Sequence, residues 1–424
     1  MLKALVIIIY NIISIPVFGI VLPFIALFDR KFRQSLSTRY RLLDDIKQLR
    51  KKYPNSRLIW IHSASMGEFE QARPIISQIK QTEPNTIIFA TFMSPSGYEA
   101  RKNYPDCHAV QYIPLDFFWQ VSSFYKALKP DAGIIIRYEF WPNLILLASN
   151  FNVRLYLVNA SLKKNQSYGK WYFKWFFLPV FKSYRLILTV SGIHTERFRS
   201  IVGNSVPLLD VGDSRFDQVV MRSQQISPEI SNIKDESRLT FVMGSSWTVD
   251  WDIWLDHVLD KIKSTKKIRL ILVPHEIHPE DFVRLQNKCS DVRLCRYSDG
   301  YDSSAEIIWF DVMGKLMQLY SVADFAYVGG GFGVSVHNIL EPGVYGIPVC
   351  FGPVFSRSPE AVELSAENIT TVIHSKNEAG IWLDNMISDS ETRLRMGAEV
   401  RGYILKYSGV SGKMVRLIHE NLTT

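Results

Sequence analysis

Tyr327-Val-Gly-Gly-Gly-Phe-Gly-Val-Ser-Val-His-Asn-Ile-Leu-Glu341-Pro342 joins an apolar run to a short helical stretch through glycine. Residues 323–328 predict a buried strand. Gly329, Gly330, Gly331 and Gly333 follow at once, and a short helix is expected over residues 337–345. A strand that passes through glycines into a helix N-terminus aims several backbone N–H groups, and the positive end of a dipole, at one point. That point suits a phosphate of the kind a nucleotide sugar carries. Glu341 offers an acceptor-only carboxylate able to bridge two vicinal hydroxyls, such as those of a ribose. The glycines miss the dinucleotide fingerprint, because counting G-x-G-x-x-G from Gly329 or Gly331 puts Val334 or Val336 at the last place. A tight strand-to-helix turn without a ligand is the plainer alternative.

The same alternation extends outward in both directions. Strands are expected at 239–243, 268–273, 306–310 and 347–351. The first three end in Gly244-Ser245-Ser246-Trp247, Pro274-His275-Glu276 and Asp311-Val-Met313-Gly314-Lys315. Upstream, strands are expected at 57–61, 86–90, 109–113, 132–136, 154–158 and 186–190. The turn after the first is His62-Ser-Ala-Ser65-Met-Gly67-Glu68, that after the fourth Arg137-Tyr-Glu139-Phe-Trp-Pro-Asn143, and that after the fifth Asn159-Ala-Ser161. Strands alternating with helices at this pace indicate parallel sheets covered on both faces. The chemically unusual residues stand at strand ends, where open α/β sheets meet ligands.

A chain of 424 residues exceeds what one core usually serves. The expected division is an anchor at 1–29, an α/β domain at 30–216, a polar linker at 217–238, a second α/β domain at 239–387 and a helical tail at 388–424. Residues 4–28 carry no charge, and 25 residues rising about 1.5 Å each would span roughly 37 Å of helix, enough for a bilayer core. Arg30, Lys31, Arg33, Arg39 and Arg41 follow, which favours the cytoplasmic side for the bulk of the chain, with a helix lying in the interface instead of crossing as the alternative. The stretch Trp171-Tyr-Phe-Lys-Trp-Phe-Phe-Leu-Pro-Val-Phe181 reads either as a surface dipping into lipid or as an aromatic packing helix. A net charge of +8 suits an anionic surface or substrate. Zinc-finger spacing and RNA-binding signatures are lacking, so nucleic acid is not expected as a partner. Cys107, Cys289, Cys295 and Cys350 form no C-x-x-C pair and read as reduced thiols.

The motifs together resemble the transferases of 3-deoxy-D-manno-octulosonic acid (Kdo). The resemblance runs nearly end to end. It rests on the anchor, His62-x-x-Ser65-x-Gly67-Glu68, Glu139-x-Trp-Pro-Asn143, Arg215-Phe-Asp217, Gly244-Ser-Ser-Trp247, Met313-Gly314 and His337-Asn-x-x-Glu341-Pro. It implies a GT-B fold, two Rossmann-like α/β domains facing a cleft, with an N-terminal membrane-anchor helix. It also implies an inverting transfer of Kdo from CMP-Kdo to a lipid A precursor, on the cytoplasmic side of the inner membrane, without a cofactor or a metal.

By resemblance, Glu68 is the base that takes the acceptor proton, Arg215 stands where relatives carry a lysine that stabilises charge, and Glu139 is a further catalytic candidate. Ser245, Ser246, Pro274, His275, Met313, Gly314, Lys315, Gly329, Gly330, Gly331, Asn338, Ile339, Leu340 and Glu341 form the expected donor side. Ser65, Gly67, Arg137 and Asn159 form the acceptor side. The chain departs from the family pattern in several places. Arg137 and Lys315 replace glutamates, His275 and Ser161 replace arginines, Trp251 replaces an acidic residue, and Ser335 replaces a glycine. A related enzyme using another nucleotide sugar, such as a UDP-sugar, is the nearest rival, and a silent membrane scaffold a second. An acyltransferase would need His-x4-Asp, and none of the nine histidines has Asp five residues on.

Overall fold

The structure, a computed structural model, describes residues 2–163, 168 and 170–423. Its chain forms two compact units, Met1–Gln218 with Gly409–Thr424, and Val219–Ser408. The first contains β1 (Leu58–Ser63), β2 (Ile87–Phe92), β3 (Ala109–Tyr112), β4 (Ala132–Ile136), β5 (Arg154–Ala160), β6 (Tyr184–Thr189) and β7 (Leu208–Asp210). The second contains β8 (Leu239–Ser246), β9 (Ile268–Pro274), β10 (Leu294–Arg296), β11 (Ile307–Trp309), β12 (Phe325–Val328), β13 (Val349–Phe351) and β14 (Thr371–Val372). The sheet orders are β3-β2-β1-β4-β5-β6-β7 and β10-β11-β9-β8-β12-β13-β14. Each is an α/β sheet of parallel strands, the GT-B kind of domain.

Strands buried on both faces read as continuous apolar runs. β1 shows the two-residue period beneath such a run. Leu58 and Trp60 join Phe89, Leu155 and Leu157 on one face, whereas Ile59 and Ile61 join Ile88, Ala90 and Ile134 on the other. In the second unit, Phe241 and Met243 of β8 share a face with Leu270 and Leu272, and Val242 turns to Ile271 and Val273.

Both sheets reverse direction of growth at one point, between β1 and β4 in the first and between β8 and β12 in the second. In open parallel sheets the crevice at that reversal, beyond the carboxyl ends of the strands, is where ligands sit. The carboxyl ends of those four strands and the turns and helix start just beyond them carry Glu68, Arg137 with Glu139, Ser245 with Ser246, and Gly329 to Gly331.

Several segments differ from expectation. Residues 217–238 are not a featureless linker, because helices Arg215–Ser223 and Pro228–Ser231 occupy much of it. The tail is two helices, Ser390–Lys406 and Val410–Thr423, and the second returns to the first unit. There Met414, Val415 and Ile418 enter the core beside Ile75 and Ile79. Asp217 accepts hydrogen bonds from the Gly409 and Ser411 amides, which fixes the return. The helix expected at 337–345 shrinks to Leu340–Gly343, so little dipole develops there. The helix Trp171–Lys182 fits both of its readings. Val180 and Phe181 enter the core, while Phe173 and Trp175 are exposed.

Candidate functional site

The β1 loop turns directly into the helix Met66–Thr82, which leaves the first amides of that helix without partners. Ser65 and Glu68 supply a capping box. Glu68 N donates to Ser65 Oγ at 3.4 Å, and Glu68 Oε2 accepts from the Ala64 and Ser65 amides at 2.6 and 3.1 Å. The second carboxylate oxygen, Oε1, accepts no hydrogen bond among the described residues. Glu68 is 6 % exposed. Burial raises its pKa and the nearby Glu139 adds to the rise, against the two amides and Arg137, which lower it. Burial therefore outweighs the cap, and the carboxylate becomes a stronger base than a surface glutamate. Gly67 faces open space, so nothing steric demands glycine there.

Arg137 leaves β4 with φ of 69°, a left-handed conformation uncommon for a side chain of that size. Its Nε donates to Gln71 Oε1 at 3.0 Å. Glu139 Oε2 accepts from Trp141 Nε1 at 2.5 Å, and burial raises its pKa too. Arg215 donates from Nε to Asp213 Oδ2 at 2.8 Å, so it is held as an ion pair within its own turn. Asn159 does not behave as an acceptor-side group. It is fully buried, and both ends of its amide are spent on Ser214, whose hydroxyl in turn holds the Gln71 carbonyl. Its φ of 51° explains the residue type, since asparagine tolerates that conformation.

In the second unit, Ser245 interrupts the end of β8 with φ of 50°. The Gly329 amide donates to the Gly244 carbonyl at 2.9 Å, and a Cβ on Gly329 would lie 2.2 Å from the Ser245 carbonyl oxygen. Gly331 meets the Gly352 backbone as closely, with a Cβ falling 2.5 Å from the Gly352 nitrogen. The glycines therefore let three strand ends converge. The Gly331 and Phe332 amides donate to no acceptor among the described residues, which leaves two N–H groups at the strand ends.

Asp250 holds this arrangement, and the sequence reading passed over it. Fully buried, it accepts from Tyr327 Oη at 2.5 Å, the Trp247 amide at 2.7 Å and the Gly330 amide at 3.4 Å. Asp250-Trp-Asp252 has the spacing of a metal-bridging pair. Two residues apart on a helix, the carboxylates face different ways: Asp252 is exposed and pairs with Arg284 at 3.2 Å. Beside the loop, Trp247, His275 and His337 stack in a column, with ring centroids 4.6 and 4.4 Å apart. Burial and the neighbouring His275 lower the pKa of His337. Ser246 is buried, with its hydroxyl between the Val273 carbonyl and Trp251 Nε1.

The remaining donor-side residues divide. Pro274 ends β9. Met313 is exposed, Gly314 turns with φ of 80°, and Lys315 pairs with Glu229 at 3.7 Å. Asn338 Oδ1 accepts from the Leu340 amide, and Asn338 Nδ2 lies 3.4 Å from Glu341 Oε1. Arg222 approaches the same oxygen at 3.5 Å. Ile339 and Leu340 are fully buried, so only their backbone can meet a ligand.

Two open parallel sheets with polar loops gathered at both reversals define the GT-B fold. The solved structures agree on fold. UDP-GlcNAc 2-epimerase from Neisseria meningitidis, bound to UDP-GlcNAc, aligns over 87 % of this chain and 99 % of its own with a TM-score of 0.59 at 12 % identity. Residues 34–218 match the family described as 3-Deoxy-D-manno-octulosonic-acid transferase (kdotransferase). The 3-deoxy-D-manno-octulosonic acid transferase of Aquifex aeolicus (strain VF5) is 31 % identical over 297 residues, 70 % of this chain and 76 % of the relative. That of Haemophilus influenzae is 25 % identical over 419 residues, 95 % and 96 % of the two chains. The chain belongs to the 3-deoxy-D-manno-octulosonic acid transferase family.

Proposed function

We propose that the enzyme transfers Kdo, with inversion, from CMP-Kdo to a hydroxyl of a lipid A precursor on the cytoplasmic face of the inner membrane. The observation that carries this reading is Glu68: a buried carboxylate of raised basicity, at the sheet reversal, with one oxygen tied by its cap and the other open. Glu68 Oε1 takes the acceptor proton as the acceptor oxygen bonds to the anomeric carbon. The bond from that carbon to the phosphate oxygen breaks, and CMP leaves with the electron pair. Amides at the glycine loop receive the phosphate, and fixed N–H groups of this kind stabilise developing charge without reorganising. Glu341 and Asn338 bind the ribose. Arg137 and Arg215 supply positive charge for the Kdo carboxylate and the transition state.

The testing experiment is transfer of labelled Kdo from CMP-Kdo to a lipid A precursor by purified protein, with and without EDTA. Undiminished transfer in EDTA is expected, since Asp250 is consumed by the loop and Asp252 by Arg284. Strict dependence on added magnesium or manganese would contradict the reading. Thermal protection by CMP and not by UDP separates it from a UDP-sugar enzyme.

Asp250 acts as a positioning residue under this reading. In Asp250→Asn one oxygen becomes an N–H group facing other donors, a loss of about 1–2 kcal/mol at the loop. The donor KM should rise about tenfold with kcat and the acceptor KM little changed. A purely structural role would lower the melting temperature and leave that split absent.

A further inference from the structure

The helix Leu2–Phe28 is long and apolar enough to cross a membrane. Its contacts describe a different placement. Lys3 Nζ donates to Ser149 Oγ near the start of the helix. Two turns later Asn11 and Asn143 exchange a pair of amide hydrogen bonds, 2.8 and 3.0 Å, and Asn11 also donates to the Ile7 carbonyl. Ser149 and Asn143 bracket the helix Pro142–Ala148, every residue of which is buried. The first turns of the apolar helix thus run antiparallel along an interior helix of the first unit, with Val6 fully buried between them. Tyr10 then packs on Phe176, centroids 6.4 Å apart, and Phe18 on Phe117 at 5.9 Å. Beyond the helix, Arg39 returns to the same unit by donating to the Ile113 and Met93 carbonyls.

A span crossing the bilayer must carry its two ends to opposite sides. Here the start of the helix and the segment that follows it are both held on one globular unit. Past the Phe18 contact, among the described residues, 19–28 bond only to the chain that follows them, the Ala26 carbonyl accepting from Arg33 Nη1 at 3.1 Å. Ten residues rise about 15 Å, half of the roughly 30 Å hydrocarbon core. An asparagine facing lipid at mid-span would also cost several kcal/mol, whereas Asn143 satisfies this one inside protein.

We propose that the helix enters one leaflet and does not cross, so that the protein is monotopic and its N-terminus stays on the side of the catalytic units. The lipid-facing surface is the outer stripe of the helix, where Ile12, Ile20, Leu27 and Phe28 are 68–78 % exposed, extended by Phe173 and Trp175 on the neighbouring helix. Exposed Arg30, Lys31 and Arg33 follow at its edge. An apolar face rimmed by cations and flanked by aromatic rings fits a leaflet containing anionic lipid. This placement goes beyond the glycosyl-transfer reading and does not depend on which donor or acceptor is used.

The test uses the full-length chain with Cys107→Ser and Cys295→Ser, added to preformed vesicles of phosphatidylethanolamine and phosphatidylglycerol. Leu2→Cys is expected to react with a membrane-impermeant maleimide before the vesicles are lysed, whereas Phe24→Cys reacts only in detergent. A Lys3→Cys, Ser149→Cys pair is expected to form a disulfide in the membrane-bound protein. Protection of Leu2→Cys until lysis would place the N-terminus across the bilayer and overturn the proposal. So would a cross-link that forms in detergent and not in the membrane. Immediate labelling of Phe24→Cys on vesicles, or equal sedimentation with vesicles lacking phosphatidylglycerol, would remove the anionic leaflet as its partner.

Discussion

Glu68→Gln lowers kcat for Kdo transfer by about 10²–10⁴-fold, the range that positioned general bases contribute. The glutamine is chosen for what it keeps. Its carbonyl still accepts from the Ala64 and Ser65 amides, so the helix cap survives, whereas alanine would also cost about 0.5–2 kcal/mol in capping. Donor KM and melting temperature should therefore stay near the wild-type values. The pH profile adds a second readout. The base must be ionised, so the rate falls as pH drops through the pKa of Glu68, which burial has raised above the ordinary carboxylate range. The acid limb should lie correspondingly high, and should vanish in the Glu68→Gln profile. The stability effect has the opposite sign. A carboxyl with a raised folded pKa favours the protonated form, so its contribution to stability declines as pH rises from the unfolded value through the folded one. Equal kcat for the two proteins would remove Glu68 from the mechanism.

Glu68 was singled out by the family motif, and the part of its setting that is local is its cap. Ser65 and Glu68 are three residues apart, just after an apolar strand, and the capping box forms from chain geometry alone. The glycine run was legible for a similar reason, since only backbone that must turn or approach other backbone closely requires so many residues without Cβ. Asp250 was not legible. Its partners, Tyr327 and Gly330, are about eighty residues away in sequence, and no local pattern announces a buried carboxylate that ties a helix start to a distant loop. Asn159 misled for the converse reason. It stands at a strand end, where ligand groups gather, but its amide turns inward to Ser214. β7, β10 and β14 escaped because edge strands of two or three residues carry too few apolar positions to show a period. The apolar N-terminal helix showed its composition and hid its docking, because one asparagine among apolar residues reads as tolerated polarity until Asn143 is placed beside it.

Gly329→Ala should abolish protection by CMP and raise the donor KM by about 10- to 100-fold, through strain of about 1–3 kcal/mol. The contact is with backbone: the new methyl group would lie 2.2 Å from the Ser245 carbonyl oxygen and 2.7 Å from the Ser246 Cα. Neither can rotate away as a flexible side chain would. Relief requires separating β12 from the end of β8, and that movement breaks the Gly329–Gly244 hydrogen bond and displaces Gly330 from Asp250. Gly333→Ala is the control four residues on. Its methyl group would meet only the Gly330 carbonyl oxygen at 3.7 Å, an ordinary contact, so CMP protection and KM should remain near wild type. The pair separates two meanings of the glycine run. If both variants bind CMP normally, the convergence of strand ends is scaffolding and the donor phosphate lies elsewhere. If both lose it, chain flexibility and not close approach is what the glycines supply. Loss in Gly329→Ala alone follows from the geometry of the β8–β12 reversal, and ties CMP binding to the close approach of these strand ends.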